Sequence, residues 1–175
     1  ADIPMIEVLL SRLSYAIEID QIILATSDKP IDQILTDHVR KLGYTVYQGS
    51  EDDVLDRYYK AALQKSSDVV VRITGDCPLV DPKIVDTVVK AYKATDSDYV
   101  SNTNPPTYPD GLDVEVFSFS ALKTAWEDAK SNSEREHVTS YIRESCIFKT
   151  DNVANYEDYS KERWTVDEPD DYEVV

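Results

Sequence analysis

A run of mostly β-branched residues, Val69-Val70-Val71-Arg72-Ile73-Thr74, ends directly in Gly75-Asp76-Cys77-Pro78, and Asp81-Pro82 then opens an amphipathic helix. Strand, sharp turn and helix in that order constrain the chain to an α/β arrangement. In an open α/β sheet, ligands collect at the carboxyl ends of the strands. Asp76 stands at such an end, which makes it a candidate metal- or phosphate-handling group. The other reading of the same residue is a turn former that bonds its own backbone. Upstream, the polar loop Gly49-Ser50-Glu51-Asp52-Asp53 leads into a helix that carries Arg57, Tyr58 and Tyr59.

The rest of the chain repeats the alternation. Pro4, then Met5, Val8, Leu9 and Leu13 at helical spacing, read as an amphipathic opening helix. Strand 21–26 follows, then a helix over 31–42 that stops at Gly43, then strand 45–47 and helix 53–65. The valines of strand 68–74 predict burial on both faces. Asp81 reads as the N-cap of a helix to about Ala94, with Pro82 in its first turn. Strand 99–103, a proline-rich loop over 104–112, strand 114–117 and helix 119–129 come next. Ser133 with Glu136 predicts a capping box, and strands near 147–150 and 163–166 precede a last helix opened by Asp167-Glu168-Pro169. The expected fold is α/β, a doubly wound and mostly parallel sheet with helices on both faces.

Bulk properties exclude several classes. At 175 residues the chain is long enough for one full-sized α/β core. No stretch approaches the roughly 18 consecutive apolar residues of a membrane helix. The two cysteines, Cys77 and Cys146, stand in no metal-binding or redox spacing, so a reducing cytoplasm is the expected location. A net charge of −16 argues against a nucleic-acid partner, which requires Lys and Arg to replace counterions. The same charge opposes phosphates unless metal ions bridge the acids to them, or a basic cradle lies elsewhere. An acidic surface without function gives the same number.

Local catalytic signatures are few. The four glycines make no dinucleotide fingerprint and no P-loop, and no nucleophile elbow occurs. His38 and His137 have no HxxxH spacing. His137 sits among polar residues in Ser133-Glu134-Arg135-Glu136-His137-Val138-Thr139, where a ligand role and a structural one are both open.

Taken in order, Gln48 to Tyr59, Val70 to Pro82, Tyr99 to Val116, Glu134 to Arg143 and Trp164 to Tyr172 resemble the cytidylyltransferases that make CMP-activated acidic sugars. The resemblance covers nearly the whole chain and points to the spore-coat polysaccharide biosynthesis F-type branch, relatives of CMP-Kdo and CMP-sialic acid synthetases. It implies a nucleotide-diphospho-sugar transferase fold, GT-A or Rossmann-like, with CTP and a sugar acid as substrates and Mg²⁺ as cofactor. Asp76 and Asp167 match the family's two metal-holding, catalytic carboxylates. Gly49, Ser50, Arg57, Thr74 and Gly75 fall where the family binds nucleotide. Asp113, Glu115 and His137 fall on the sugar side, although Asp113 and Glu115 also suit a turn and a strand edge. A homodimer is common among relatives.

One departure matters. The family's first strand and its basic triphosphate loop have no counterpart in residues 1–175. The expectation is therefore a single nucleotidyltransferase domain lacking that strand and loop, with room for a further C-terminal segment. Two other classes fit parts of the pattern. A GT-A glycosyltransferase shares the sheet, and Asp113-Val114-Glu115 imitates its acidic turn. A catalytically silent binding or scaffold relative would have no need of the loop.

Overall fold

The computed structural model describes residues 3–174. Helices α1 (Met5–Leu13), α2 (Gln33–Lys41), α3 (Val54–Gln64), α4 (Pro82–Ala94), α5 (Phe119–Asp128), α6 (Asn132–Glu136), α7 (Ser140–Glu144) and α8 (Pro169–Val174) accompany six strands, alternating with them up to β4. The strands are β1 (Ile23–Ser27), β2 (Thr45–Gly49), β3 (Val69–Arg72), β4 (Tyr99–Ser101), β5 (Glu115–Ser118) and β6 (Thr150–Asn152). β1 and β2 form a parallel pair, and a four-stranded sheet runs in the order β3-β5-β4-β6, with β4 and β6 parallel. The chain divides into two compact units, one of residues 1–20, 71–116 and 150–175, the other of residues 21–70 and 117–149.

In the first unit, α4 packs on β4. Val85, Val88 and Val89 recur at i, i+3 and i+4 and are buried, as are Tyr99 and Val100 of the strand. Asp81 caps α4 by accepting from the Lys83 amide at 2.8 Å, with Pro82 in the first position, where a missing N–H costs nothing. Asp86 is buried in this helix. Its oxygens accept from the amides of Ile17 and Glu18 at 3.2 and 2.9 Å, which ties down the chain leaving α1.

In the second unit, α3 packs on β1, β2, α5 and α6. Leu55, Leu122 and Val39 are fully buried there. Asp53 caps α3 through the Asp56 amide at 2.9 Å, and Ser118 caps α5 through the Ala121 amide at 3.0 Å. Tyr59 stacks on Trp126 with ring centroids 4.3 Å apart, and on Phe119 at 5.6 Å. Tyr59 is thus used for packing within the second unit.

Several local expectations shift. Residues 30–32 form a 3₁₀ turn ahead of α2. The capping box is Ser131 with Glu134, because Ser131 has the extended backbone that an N-cap needs. β6 lies at Thr150–Asn152, later than the apolar residues near Ile147 suggested. Val69 is 40% exposed, and the rest of β3 is only half-buried, so the valine run does not mark a strand covered on both faces. Residues 163–166 form no strand. Arg163 makes one parallel bridge with Asp110, and the segment is held by separate hydrogen bonds.

Those bonds fix the loop over residues 104–112. Asn102 is 1% exposed; its Nδ2 donates to the Leu112 carbonyl and its Oδ1 accepts from the Val114 amide, both at 2.8 Å. Asp110 N donates to the Glu162 carbonyl at 3.0 Å, and Trp164 N to the Asp110 carbonyl at 2.7 Å. Between these contacts lies Gly111, at φ +103°, where a Cβ would stand 2.5 Å from the Trp164 carbonyl carbon and 2.6 Å from the Thr165 amide nitrogen. Both obstacles are backbone. Only glycine fits. At Gly75, in contrast, a Cβ would meet nothing within 4 Å.

Gly111→Ala is therefore expected to destabilise the protein by more than about 2 kcal/mol, combining left-handed strain with backbone displacement. Gly75→Ala should stay within about 0.5 kcal/mol of wild type, as an unobstructed surface change does. Denaturant unfolding of both variants checks the contrast, and equal midpoints would refute the close approach at Gly111.

Candidate active site

The first unit gathers acids around the end of β3. Thr74 to Cys77 makes a turn, with Cys77 N donating to the Thr74 carbonyl at 3.3 Å and the Thr74 hydroxyl 3.1 Å from Cys77 Sγ. Burial pushes the Cys77 thiol up to about 12, so it stays protonated and serves as packing. The Asp76 carbonyl accepts from the Val166 amide at 2.8 Å and from the Thr165 hydroxyl at 3.2 Å. Residues 89 positions apart are joined here, and Asp167 directly follows the joined segment. The structure thus brings the chain around Asp76 and Asp167 together by one backbone and one side-chain hydrogen bond to the Asp76 carbonyl.

The Asp167 carboxylate is engaged by Arg163, whose Nη2 lies 2.6 Å from Oδ2. Arg163 also reaches Asp110 at 3.2 Å and Asp171 at 3.0 Å. Asp171 in turn accepts from the amides of Asp167 and Glu168, each at 2.9 Å, which shapes the start of α8. The Arg163 hydrogen bond and those amides hold the Asp171 carboxyl well below the usual carboxylate range.

Asp113 and Glu115 project from the chain beyond the loop. Glu115 is 5% exposed and accepts from the Tyr99 hydroxyl at 2.6 Å and from Arg72 Nη1. A buried carboxylate engaged on both oxygens has the partners that burial demands. Asp113 differs. Burial first, then the neighbouring charges of Asp110, Glu115 and Asp76, push its carboxyl up to about 6, and Arg72 offsets only part of this. Negative charge is thus concentrated on this side of the first unit.

The donors available to a metal are all carboxylate oxygens. Among the described residues no three acidic, His or Cys side chains cluster as a metal-binding group. Mg²⁺ usually takes one or two carboxylates, with phosphates and water completing its shell, so such an ion asks for fewer protein ligands than a three-residue cluster supplies.

The nucleotide candidates fall into two sets. Thr74 and Gly75 belong to the first unit. Gly49, Ser50 and Arg57 belong to the second, where Arg57 Nη1 donates to the Ser50 carbonyl at 2.9 Å and Asp53 N donates to the Ser50 hydroxyl at 3.0 Å. Gly49 lies close to Tyr47 and Arg57, with an added Cβ 3.2 and 3.3 Å from their side chains. His137 is exposed at the end of α6, also in the second unit, while Asp113 and Glu115 belong to the first.

Sequence reading missed Asn102, which pins the loop, and Arg163, which neutralises the acids of the last segment. The signal for Arg163 was present in composition: it is a cation among Glu157, Asp158, Glu162, Asp167, Glu168, Asp170 and Asp171.

Comparison with known proteins follows the same lines. The cytidylyltransferase family model matches residues 1–173. An uncharacterized protein of Methanocaldococcus jannaschii is 41% identical over 173 residues, covering 97% of this chain and 70% of its own. The spore coat polysaccharide biosynthesis protein SpsF of Bacillus subtilis is 33% identical over 179 residues, covering 98% and 73%. A cytidylyltransferase structure from Leptospira borgpetersenii superposes with a TM-score of 0.94 at 32% identity, over 99% of this chain and 74% of that one.

Asp113 gives this site a pH signature. Its carboxyl is raised from 3.8 to about 6 on folding, so the fold favours the protonated form. Its destabilising effect is absent below pH 4, grows as pH rises to 6, and is full above that. With chelator present, the stability of Asp113→Asn relative to wild type should therefore increase between pH 4 and 6, by as much as about 3 kcal/mol. Urea unfolding across that range tests it; a difference independent of pH would show that Asp113 is not buried among like charges.

Proposed function

This chain belongs to the cytidylyltransferase family, and we propose that it transfers the CMP group of CTP to an acidic sugar, releasing pyrophosphate. The observation that carries the reading is the joining of Asp76 to Thr165 and Val166, which sets the two carboxylate-bearing turns of the family pattern side by side. The match over residues 1–173 supports the nucleotidyl transfer, and the resemblance to the CMP-sugar branch supports the acidic sugar.

In the reaction the sugar hydroxyl oxygen forms a bond to the α-phosphorus, the bond from that phosphorus to its bridging oxygen breaks, and pyrophosphate leaves. The hydroxyl proton passes to solvent. Asp76 and Asp167 would hold Mg²⁺. The ion would supply neutralisation of charge at phosphorus and a lowered pKa at the attacking hydroxyl. Little covalent chemistry is left to the side chains, so positioning and electrostatics carry the rate.

Each residue then has a role. Thr74 and Gly75 present the β3 turn to the phosphates, and the open space above Gly75 lets a ligand approach its backbone. Gly49, Ser50 and Arg57 read the nucleoside. Asp113, protonated for part of the time near pH 6, can donate to a sugar oxygen where an ionised acid would repel the sugar carboxylate. Glu115 stays bonded to Tyr99 and Arg72 and stiffens the strand that carries it. Arg163 pairs with the Asp167 carboxylate and would be held by Asp110 and Asp171 were that carboxylate to serve as a metal ligand.

With CTP, a panel of sugar acids and Mg²⁺, Asp76→Asn should lower pyrophosphate release by about two orders of magnitude or more, as loss of a charge-stabilising group does. Asp167→Asn should weaken the Mg²⁺ dependence. The double variant should be scarcely slower than Asp76→Asn, because residues that share one function do not lose it twice. Retention of more than about a tenth of the rate by Asp76→Asn, or multiplicative losses in the double variant, would remove the shared metal role.

A further inference from the structure

In the second unit, one arginine commits all three of its guanidinium nitrogens, two to the residue that opens α3 and one to the end of α5. Arg135, on α6, directs Nε to both oxygens of Asp53 at 3.0 Å and Nη2 to Oδ2 at 2.6 Å. Its Nη1 donates to the Trp126 carbonyl at 2.7 Å, near the end of α5. Asp53, the N-cap of α3, is 82 residues away in sequence. Asp53 meanwhile caps α3 with Oδ1 and donates its own amide to the Ser50 hydroxyl. The Ser50 carbonyl is held in turn by Arg57.

A helix N-cap requires one side-chain oxygen and no counter-charge. The bidentate pair therefore exceeds what capping needs. Its effect is to fix the Asp53 carboxylate in rotation as well as position, since a planar fork accepts a carboxylate in few orientations. Side-chain exposures of 21% for Arg135 and 34% for Asp53 place the pair where solvent screens it only in part. Ser50 accepts from the Asp53 backbone amide with its hydroxyl and from Arg57 with its carbonyl, so the loop is tied to the Asp53 main chain, which the Arg135 fork and the α3 cap anchor through the Asp53 side chain. The Trp126 side chain closes the same assembly from the other side, its Nε1 donating to Asp56 Oδ1 at 2.9 Å, while Lys60 pairs with Asp56 Oδ2 at 2.8 Å.

We propose that Arg135 is a positioning residue for nucleotide binding: through Asp53 it holds Gly49, Ser50 and Arg57 in the arrangement that reads the nucleoside. This rests on the assignment of that loop to the nucleotide made above. Lysine at position 135 would keep the charge but, as a single point donor, could not grip both carboxylate oxygens and the Trp126 carbonyl together.

The test measures nucleotide binding by calorimetry, with CTP, UTP, ATP and GTP, for wild type, Arg135→Lys, Asp53→Asn and the double variant, together with steady-state kinetics. Asp53→Asn keeps an oxygen for the cap, and circular dichroism with thermal unfolding confirms that each variant is folded. The expected result is a rise of about tenfold in Kd and KM for the nucleotide in Arg135→Lys. The kcat and the sugar KM should move less than about twofold, and the double variant should be no worse than the poorer single one. A folded Arg135→Lys protein whose nucleotide Kd stays within about twofold of wild type would overturn the proposal and show a purely structural pair. A wild type that prefers another nucleotide would refute the cytidylyl reading alone, and Arg135 would then be judged on that nucleotide. Binding of none of the four would overturn both.

Discussion

The first unit depends on one close approach of backbone to backbone, at Gly111. There the loop of residues 104–112 lies against Trp164 and Thr165 with no room for a side-chain carbon. Asn102 secures one side of that contact from a fully buried position, using both ends of its amide. Thr165 and Val166 secure the other, through the Asp76 carbonyl. The end of β3, the loop before β5 and the turn before α8 are far apart in sequence, and they meet only because these bonds hold. The acids Asp76, Asp110, Asp113 and Asp167 come from those three segments, so their grouping follows from the stitching.

That grouping has an electrostatic consequence. Bringing carboxylates together in a partly buried place raises the free energy of the ionised state, and Asp113 registers it as a pKa raised to about 6. Arg163 relieves the acids of the last segment, and Arg72 relieves Glu115. With 34 acidic against 18 basic residues, the acids outnumber the cations that could pair with them. A site of this kind suits a ligand that brings positive charge with it, such as a divalent ion accompanying phosphates. Acidity that looks unfavourable for a nucleotide enzyme when counted over the chain becomes intelligible when it is placed residue by residue.

Much of this was legible in the sequence. The Asp81-Pro82 helix start, the stop at Gly43 and the loop of residues 104–112 are local signals, each governed by neighbours a few positions away. The five motif blocks carried the family. What could not be read was tertiary. The residues at 163–166 have the look of a strand but exchange single hydrogen bonds with Asp110 and Asp76, and no local periodicity distinguishes the two. Asn102 resembles any polar residue after a strand until Leu112 and Val114 are seen on either side of its amide. Arg135 and Asp53 are paired across 82 residues, a distance at which spacing rules say nothing. Val69 misled because a β-branched run reports strand propensity better than it reports burial.

The central claim is that the chain joins CMP to an acidic sugar. Phosphorus NMR of a reaction containing the protein, CTP, Mg²⁺ and the sugar acids in turn tests it most directly, because it identifies the bond made as well as the one broken. The account predicts that, with one of the sugars, the CTP signals are replaced by a phosphodiester resonance and pyrophosphate in equal amounts. CTP that yields CDP or CMP without a phosphodiester, or that remains intact while a nucleotide-sugar donor is consumed, would contradict it.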